Sequence, residues 1–520
     1  METKKRLKVV LVVLCAALVL SLIALAVMFF LENNLIYHGK VYPKKQDVLD
    51  LTGEALTYDD YTYLSQQLEE TRIIWNAPLS DGAVSSDHTA ITITKLTKND
   101  LQLLTTFEDL QEVDGSQCMD YPEMMLLQQQ KPSCVVSYRV PIGGVVYQQN
   151  AKAVETPNLD REQLAMLAYL PQLETVNATG CTDYHLLREV AESHPEWNVL
   201  YQVALGDRIL KQDTVTATVQ NCTYTELTEK LYGLPKLKEL QLVNPEATGE
   251  ELVALREAYD QIAIHWQIDI LGVEATDETT ELDLSGIPVT DLDELSTQAN
   301  KLPALEKLIM SDCGIDNETM AAFREQKRSE YKVVWTVHMT SWCKARTDDT
   351  IFMPYKQGWT FLDNDRQVRN LKYCEDMVCI DVGHSTFSDV SWAAYMPHLK
   401  YLVLAHTHVL NISALSNCKE LVFLELDHTT VQDYSPLVEC TALEDLNLGK
   451  THRSVTPILQ MTWLKNLWWM DCSYSNRKAL EEALPNTNRV YPTDYTVGQG
   501  WRKLPNYYAM RDLLGMPYMN

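Results

Sequence analysis

Apolar residues recur at intervals of 21 or 22 positions in the last quarter of the chain. The series runs through Met377, Leu399, Leu421, Leu443 and Leu464. Each of these residues is followed by further apolar residues three and five positions later, and this alternation predicts a short strand with one buried face. A small polar or thiol side chain follows each strand, and these residues are Ser385, Thr407, Thr429, Thr451 and Cys472. Such a side chain can bond the backbone at a turn, so the pattern predicts coils that bury their leucines by stacking on their neighbours.

A longer repeat precedes these coils. Its most regular feature is an aromatic residue at intervals of 63, 63, 65 and 69 positions, which gives Trp75, Tyr138, Tyr201, Trp266 and Trp335. Apolar residues alternate around each aromatic residue, and this period of two predicts a strand on which the aromatic side chain points inward. A helical segment comes before each aromatic residue, as in 249–266. The sequence leaves open whether the aromatic strand joins the main sheet or folds back as a hairpin.

These motifs resemble the leucine-rich repeat, and the stretch 433–448 is similar to the 22-residue class found in internalin-like surface proteins of Gram-positive bacteria. The resemblance implies an α/β leucine-rich repeat solenoid, with a curved parallel sheet on one side and helices or loops on the outer face. Four predicted segments follow from the motifs: long divergent repeats over 48–343, a junction or loop over 344–373, 22-residue repeats with a closing helical arm over 374–491, and an aromatic and basic C-terminal cap over 492–520.

The N-terminus predicts a membrane anchor. Residues 1–8 carry four basic side chains and one acidic side chain, and residues 9–31 contain no charged side chain. A helix over the apolar run is roughly 34 Å long, which is enough to cross a bilayer. We expect an uncleaved signal-anchor rather than a cleaved signal peptide, with residues 32–47 as a short stalk. The basic cluster predicts a cytoplasmic N-terminus and an extracellular remainder, so the chain is expected to be a single-pass membrane protein.

Composition narrows the possible functions. The chain has 71 acidic and 44 basic residues and a net charge of −27, which argues against nucleic-acid binding because the phosphate backbone would repel it. The sequence has none of the H-E-x-x-H, G-x-S-x-G, P-loop or G-x-G-x-x-G motifs, so neither an enzyme nor a cofactor is expected.

Seven of the 12 cysteines fall on repeat positions, which favours buried free thiols over disulfides, although Cys418 and Cys440 are close enough in the pattern to bond.

The strand positions that point away from the leucines form the candidate binding surface. In the last repeats they include Tyr401, Phe423, Glu425, Asp427, Asp445, Asn447, Asn466 and Trp468. Aromatic side chains among acidic ones are typical of interfaces, where the rings supply most of the binding energy and the charges select the partner. The resemblance implies a binding or adhesion surface for an extracellular protein or glycan. The alternative from another class is a structural scaffold of the cell envelope that assembles by stacking solenoids.

Three histidines occupy one repeat position, directly before the Ser or Thr of the turn: His384, His406 and His428. Imidazoles at this spacing could share a metal ion or act as a pH-sensitive stripe. The simpler interpretation is an exposed edge position that tolerates histidine. We favour the simpler one, because three ligands in a line give poor tetrahedral geometry.

Overall fold

The computed structural model describes residues 2–358, 361–449, 454–496 and 499–518, and Thr451 of the predicted turn series lies outside them. The chain forms two compact units. The first comprises Met1–Val215 and Glu226–Leu237, and the second comprises Thr216–Thr225 and Lys238–Asn520. The division falls inside the region of long repeats.

The elements are short, apart from the first helix. The α-helices of the described residues are α1 (Glu2–Asn33), α2 (Tyr58–Gln67), α3 (Lys98–Leu104), α4 (Tyr121–Gln130), α5 (Arg161–Leu167), α6 (Tyr184–Ser193), α7 (Tyr224–Lys230), α8 (Gly249–Ala258), α9 (Leu292–Ala299), α10 (Asn317–Lys327), α11 (Asp365–Val368), α12 (Thr456–Leu459), α13 (Tyr474–Ala483) and α14 (Pro505–Leu513). The 3-10 helices are Leu231–Gly233, Pro354–Gln357, Arg369–Tyr373, Ser391–Tyr395, Ser413–Asn417, Ser435–Glu439 and Trp501–Lys503.

The strands of the first unit are β1 (Asn34–Tyr37), β2 (Lys40–Pro43), β3 (Val48–Leu51), β4 (Arg72–Leu79), β5 (Gly82–Ser85), β6 (Ala90–Thr92), β7 (Glu112–Gly115), β8 (Val135–Ile142), β9 (Val145–Gln148), β10 (Ala153–Glu155), β11 (Thr175–Asn177), β12 (Asn198–Leu200), β13 (Gln202–Leu205) and β14 (Arg208–Lys211). Those of the second unit are β15 (Thr216–Gln220), β16 (Glu239–Val243), β17 (Ala263–Ile270), β18 (Val273–Thr276), β19 (Glu281–Asp283), β20 (Lys307–Ile309), β21 (Lys332–Val334), β22 (Thr336–His338), β23 (Lys344–Arg346), β24 (Ile351–Phe352), β25 (Cys379–Asp381), β26 (Tyr401–Val403), β27 (Phe423–Glu425), β28 (Asp445–Leu448), β29 (Asn466–Trp469) and β30 (Asn488–Val490).

Helix α1 contains the predicted membrane segment. It is exposed along its apolar length, and it is the single helix of the described residues that is long and apolar enough to cross a membrane. A 32-residue helix is longer than the roughly 20 residues that a bilayer core requires. The helix therefore fits either a membrane anchor or a signal sequence.

The long repeats combine parallel coils with an antiparallel hairpin. In the first unit, the first half of β8 pairs in parallel with β7, and its second half pairs in antiparallel with β9. Strands β4 and β17 divide their pairing in the same way. The aromatic strand thus both joins the sheet and folds back, which answers the question that the sequence left open.

The hairpins interrupt the sheet. Because β9 occupies the edge of β8 that a following coil would need, β10 begins a new sheet. The described strands accordingly form separate sheets of two to seven strands. The predicted curved parallel sheet is therefore not continuous among the described strands, because the hairpins interrupt it.

The aromatic residue of each long repeat is buried, as predicted. Trp75, Tyr138, Tyr201, Trp266 and Trp335 are each at most 3% exposed. Several donate a hydrogen bond to a residue about one coil further along the chain. Trp266 Nε1 donates to the carbonyl of Lys301 at 2.7 Å, and the Tyr138 hydroxyl donates to the carbonyl of Tyr169 at 2.8 Å. These aromatic side chains therefore link their own repeat to the end of the next helix.

The last coils form a seven-stranded parallel sheet from β24 to β30, in chain order. Leu399, Leu421 and Leu443 are completely buried, and Leu402 pairs in register with Leu424. Most of these coils return through a short 3-10 helix such as Ser413–Asn417. The 22-residue pattern is therefore confirmed. The predicted junction 344–373 contains β23 and β24, so the sheet begins within it.

The turn chemistry of these coils is also confirmed. The hydroxyl of Thr407 donates to the carbonyl of Leu404 at 2.7 Å, and the hydroxyl of Thr429 donates to that of Leu426 at 2.8 Å. All twelve cysteines are free, and all except Cys15 are buried. The Cys440 thiol donates to the carbonyl of Leu415 at 3.1 Å, so Cys418 and Cys440 are not bonded to each other.

Candidate functional site

The C-terminal segment of the chain lies on the face of the seven-stranded sheet that points away from the leucine core. We call residues 499–518 the tail; it contains the 3-10 helix Trp501–Lys503 and helix α14. We call the sheet surface beneath it the tail-covered face. The tail side chains buried there are Trp501, Leu504, Tyr507, Met510 and Leu514, and the sheet side chains are Cys379, Val403, Ala405, Phe423 and Trp468. The sheet therefore has a leucine core on one side and a second apolar cluster on the other.

The tail buries the residues that the sequence predicts to be an exposed binding surface. Asn447 and Phe423 are 0% exposed, Asp445 is 1%, Trp468 is 2% and Asp427 is 6%. The side chains of Tyr401, Glu425 and Asn466 are partly buried. The structure brings the eight predicted residues onto one face, but the expectation that they face solvent is wrong because the tail covers them.

The segment that the sequence predicts to be a cap packs across several coils, including the one that contains Trp468. The tail contacts coils from Cys379 to Trp468 rather than the open edge of the final coil alone. The aromatic residues of the tail were the available signal for this packing, but nothing in their pattern identifies the surface that they cover. Trp501, Thr496 and Asn506 are the site residues that the sequence analysis missed.

Trp501 is the central side chain of the tail. Its ring stacks on Phe423 with centroids 4.7 Å apart and meets Trp468 edge-on at 5.5 Å. Its indole Nε1 donates to Glu425 Oε2 at 2.9 Å. Trp501 is completely buried, so it contributes both apolar contact area and a directed hydrogen bond.

Polar contacts hold the two ends of this arrangement. The Thr496 hydroxyl donates to Asp427 Oδ2 at 3.3 Å and accepts from Asn447 Nδ2 at 3.2 Å. On α14, Asn506 Nδ2 donates to Glu444 Oε2 at 3.2 Å. These bonds fix the register of the tail on the sheet.

Several polar atoms of the tail-covered face have no hydrogen-bond partner among the described residues. They are Asp445 Oδ2, Asn447 Oδ1 and Trp468 Nε1, whereas Asp427 Oδ1 lies 3.1 Å from His428 Nδ1. Buried polar groups are nearly always paired, and each one left unpaired costs about 1–3 kcal/mol. The tail therefore covers this face while leaving these particular atoms unsatisfied.

Three acidic side chains of this face have raised pKa values. Burial, together with the charges of Asp381 and Asp427, raises the pKa of Glu425 to about 7, although the Trp501 bond and Arg502 act in the opposite direction. Burial also raises the pKa of Asp381 and that of Asp445. The tail thus encloses a group of carboxyls that hold their protons more tightly than exposed ones do.

The three predicted histidines form a stack beside this face. The rings of His384 and His406 lie 4.6 Å apart with an interplanar angle of 11°, and those of His406 and His428 lie 4.4 Å apart at 14°. Burial and the two neighbouring imidazoles lower the pKa of His406. All three residues have a positive φ, between 55° and 62°.

The positive φ explains why histidine occurs there. The same position in other coils also has a positive φ, and its residues are Gly180, Asn221, Asn244, Gly286, Asp312 and Asp471. Glycine adopts this left-handed conformation freely, and Asn, Asp and His are enriched there among other residues. The occurrence of histidine in this column therefore follows from the backbone path of the turn.

One group of candidate metal ligands involves this column: His406, Asp427 and His428 have ligand atoms within 4.8 Å of one another. His384 is not part of the group. An ion bound by imidazole lies close to the ring plane, about 2 Å from the nitrogen. Because the planes of His406 and His428 are nearly parallel and stacked, one ion cannot lie in both planes without a change of side-chain rotamer.

Comparison with known proteins yields structural similarities only. No family model matches the sequence, and no curated protein matches it. Similar solved structures include internalin C2 of Listeria monocytogenes, at 18% identity over 26% of this chain and 71% of that one, with a TM-score of 0.21. They also include internalin InlF of the same species, at 14% identity over 68% of this chain and 84% of that one, with a TM-score of 0.21. A leucine-rich repeat protein of Leptospira interrogans is 12% identical over 86% of this chain and 90% of that one, with a TM-score of 0.22. The first two of these proteins are internalins, and the third is a leucine-rich repeat protein.

Proposed function

We propose that the chain is a single-pass membrane protein whose leucine-rich repeats bind an extracellular protein and carry out no catalysis. Helix α1 supports the anchor, because it is long enough to span a bilayer and follows the basic residues of the N-terminus. The function then resides in the repeats beyond the membrane. The alternative ligand for the same repeats is an extracellular glycan.

The observation that carries the proposal is the set of unpartnered polar atoms on the tail-covered face. Asp445 Oδ2, Asn447 Oδ1 and Trp468 Nε1 are buried, point away from the leucine core and are not used by the described residues. A surface that existed only to bury the tail would gain stability from apolar side chains at these positions. Polar groups on an aromatic surface are instead characteristic of recognition sites.

Proximity labelling on intact cells tests the proposal. The labelling enzyme is fused to the C-terminal side of the full chain, and the wild type is compared with Glu425→Gln and Asp445→Asn. The matched control is Glu482→Gln, which changes an exposed carboxyl on α13. We expect at least one labelled protein to be lost or reduced several-fold in both face variants and to be retained in the control.

Two results would contradict the proposal. Identical sets of labelled proteins in all variants would show that the tail-covered face has no part in binding. Labelling of the chain's own copies alone would favour the structural scaffold. Thermal unfolding of each variant must match the wild type, so that loss of labelling reports on the surface rather than on the fold.

A further inference from the structure

The tail occupies the face that we propose for binding, and it does so incompletely. Its aromatic side chains fill the apolar part of the surface, with Trp501 between Phe423 and Trp468. Its polar contacts leave oxygens of Asp445 and Asn447 without a donor among the described residues. The apolar fit is therefore good and the polar fit is poor.

We propose that the tail-covered face is a docking site for a polypeptide segment that carries an aromatic side chain next to a basic one, and that the tail is a tethered occupant which such a partner displaces. This inference rests on the proposed function. It adds the chemistry of the partner and a step that must precede its binding.

The aromatic requirement follows from the Trp501 subsite. Phe423, Trp468 and Val403 line it, and the carboxylate of Glu425 accepts a hydrogen bond from the indole at its edge. A flat ring with a donor at its rim matches both features. Aromatic anchors in desolvated pockets of this kind supply most of the binding energy at protein interfaces.

The basic requirement follows from charge. Four acidic residues lie on the strands and turns of the tail-covered face: Asp381, Glu425, Asp427 and Asp445. Arg511 of the tail directs its guanidinium to the carbonyl of Pro517, with Nη2 at 2.6 Å, and Lys503 is exposed. Neither cation satisfies Asp445 Oδ2 or Asn447 Oδ1, and the charge of the third tail cation, Arg502, acts on Glu425 and Asp381. A partner that brings an ammonium or guanidinium group to those oxygens gains charge-assisted hydrogen bonds that the tail lacks.

The tether explains how an imperfect ligand remains bound. The tail is joined to the last coil through a short connection after β30, so its local concentration at the face is high, of the order that short linkers produce. A segment with modest intrinsic affinity then stays in place. A partner in solution has to contribute better contacts to replace it.

The experiment removes the tether without removing the tail. A protease site is inserted between Asp494 and Tyr495 of the full chain, where Tyr495 is 74% exposed, and the folded protein is cut in detergent or nanodiscs. The probe is a fluorescent peptide with the sequence of residues 499–518. We expect the probe to bind at least tenfold more tightly after the cut than before it, because the native tail can then leave.

Substitutions in the probe identify the contacts. Replacing Trp501 by alanine should weaken probe binding by tenfold or more. Replacing Tyr518, which is 53% exposed, should leave probe binding unchanged. Two results would overturn the proposal. In the first, the cut protein never exchanges its own tail for the probe. In the second, all probes bind equally. Either result would show that the tail is an integral part of the fold.

A second set of probes tests the basic side chain. Each carries one Lys or Arg in place of a residue of the 499–518 sequence. At least one should bind tenfold more tightly than the unmodified probe, and Asp445→Asn together with Asp427→Asn in the protein should abolish that gain. Glu482→Gln is the matched control. If no basic probe gains affinity, the proposed partner chemistry is wrong. The probe can fail to replace the native tail while proximity labelling still depends on Glu425. In that case the proposed binding function is supported, and the proposal that a partner displaces the tail is wrong.

Discussion

At the scale of single residues, the left-handed turn position decides which side chains the coils accept. His384, His406 and His428 share this conformation with Asn, Asp and Gly residues of other coils. A β-branched side chain cannot adopt it without strain, since its Cβ approaches the neighbouring carbonyl. The histidine column is therefore primarily a feature of the backbone.

The turn position predicts a contrast between two variants of His406. His406→Asn should change the free energy of unfolding by less than about 0.5 kcal/mol, because Asn tolerates a positive φ. His406→Val should lose about 1–2 kcal/mol, because valine is strained there. Denaturant unfolding measures both, and equal stability of the two variants would contradict the backbone explanation.

The stacked geometry of the rings predicts that the column does not bind zinc tightly. Titration of the wild type with zinc should release no more heat at micromolar metal than titration of His406→Ala, because the parallel rings cannot share an ion. Heat that the wild type releases and the variant does not would establish a metal site at His406, Asp427 and His428.

The raised pKa of Glu425 predicts that docking of the tail depends on pH. Its pKa is about 7 under the tail and should return towards the ordinary value of 4.5 when the tail leaves. Docking therefore takes up a proton, and the docked arrangement should weaken as pH rises from about 4.5 to about 7, by up to roughly 3 kcal/mol. The raised pKa values of Asp381 and Asp445 act in the same direction.

Binding of the 499–518 peptide to the cut protein measures this effect. We expect tighter binding at pH 5.5 than at pH 8 in the wild type and a smaller difference in Glu425→Gln, which keeps an acceptor for Trp501. Binding that tightens with rising pH would contradict the assigned direction of the pKa shift.

At the scale of elements, the sequence predicts the strands well and their pairing less well. The alternation around Trp266 correctly identifies β17 and its buried face. Alternation does not distinguish a parallel from an antiparallel neighbour, so the hairpin with β18 could not be derived from it. The turn between these strands has positive φ at Leu271 and Gly272. Leucine rarely adopts a positive φ, so its presence in the sequence does not predict this turn.

The hydrogen bond of the buried tryptophan predicts that two Trp→Phe variants differ in their free energy of unfolding. Trp266→Phe removes the donor to the Lys301 carbonyl and should lower the free energy of unfolding by about 1–3 kcal/mol. Trp342→Phe, at a hairpin end where the side chain is 80% exposed, should change it by less than about 0.5 kcal/mol. Thermal or denaturant unfolding compares them, and equal effects would mean that the bond to Lys301 contributes little.

At the scale of the whole molecule, the sequence predicts the repeat architecture but not what covers its surface. Regular spacing identifies Leu399, Leu421 and Leu443 as core, because every coil repeats the same local solution. The tail is not repeated, and its contact with Phe423 joins residues far apart in the chain. No periodic signal encodes such a contact, so the sequence places the eight residues on one face but does not predict that the tail covers them.

Helix α1 predicts the orientation of the full chain in the membrane. With a cytoplasmic N-terminus, protease added to intact cells should degrade the repeats and leave a tag before Thr3 protected. Permeabilised cells, in which both parts are digested, provide the control. Release of the repeats into the medium without protease would indicate a cleaved signal sequence instead of an anchor.

The unpaired cysteines have a practical consequence for producing the protein. Since all eleven thiols beyond α1 are buried and free, the repeats need no oxidising environment to reach their fold. A version without the apolar helix should fold in a reducing bacterial cytosol, and added dithiothreitol should leave its melting temperature unchanged.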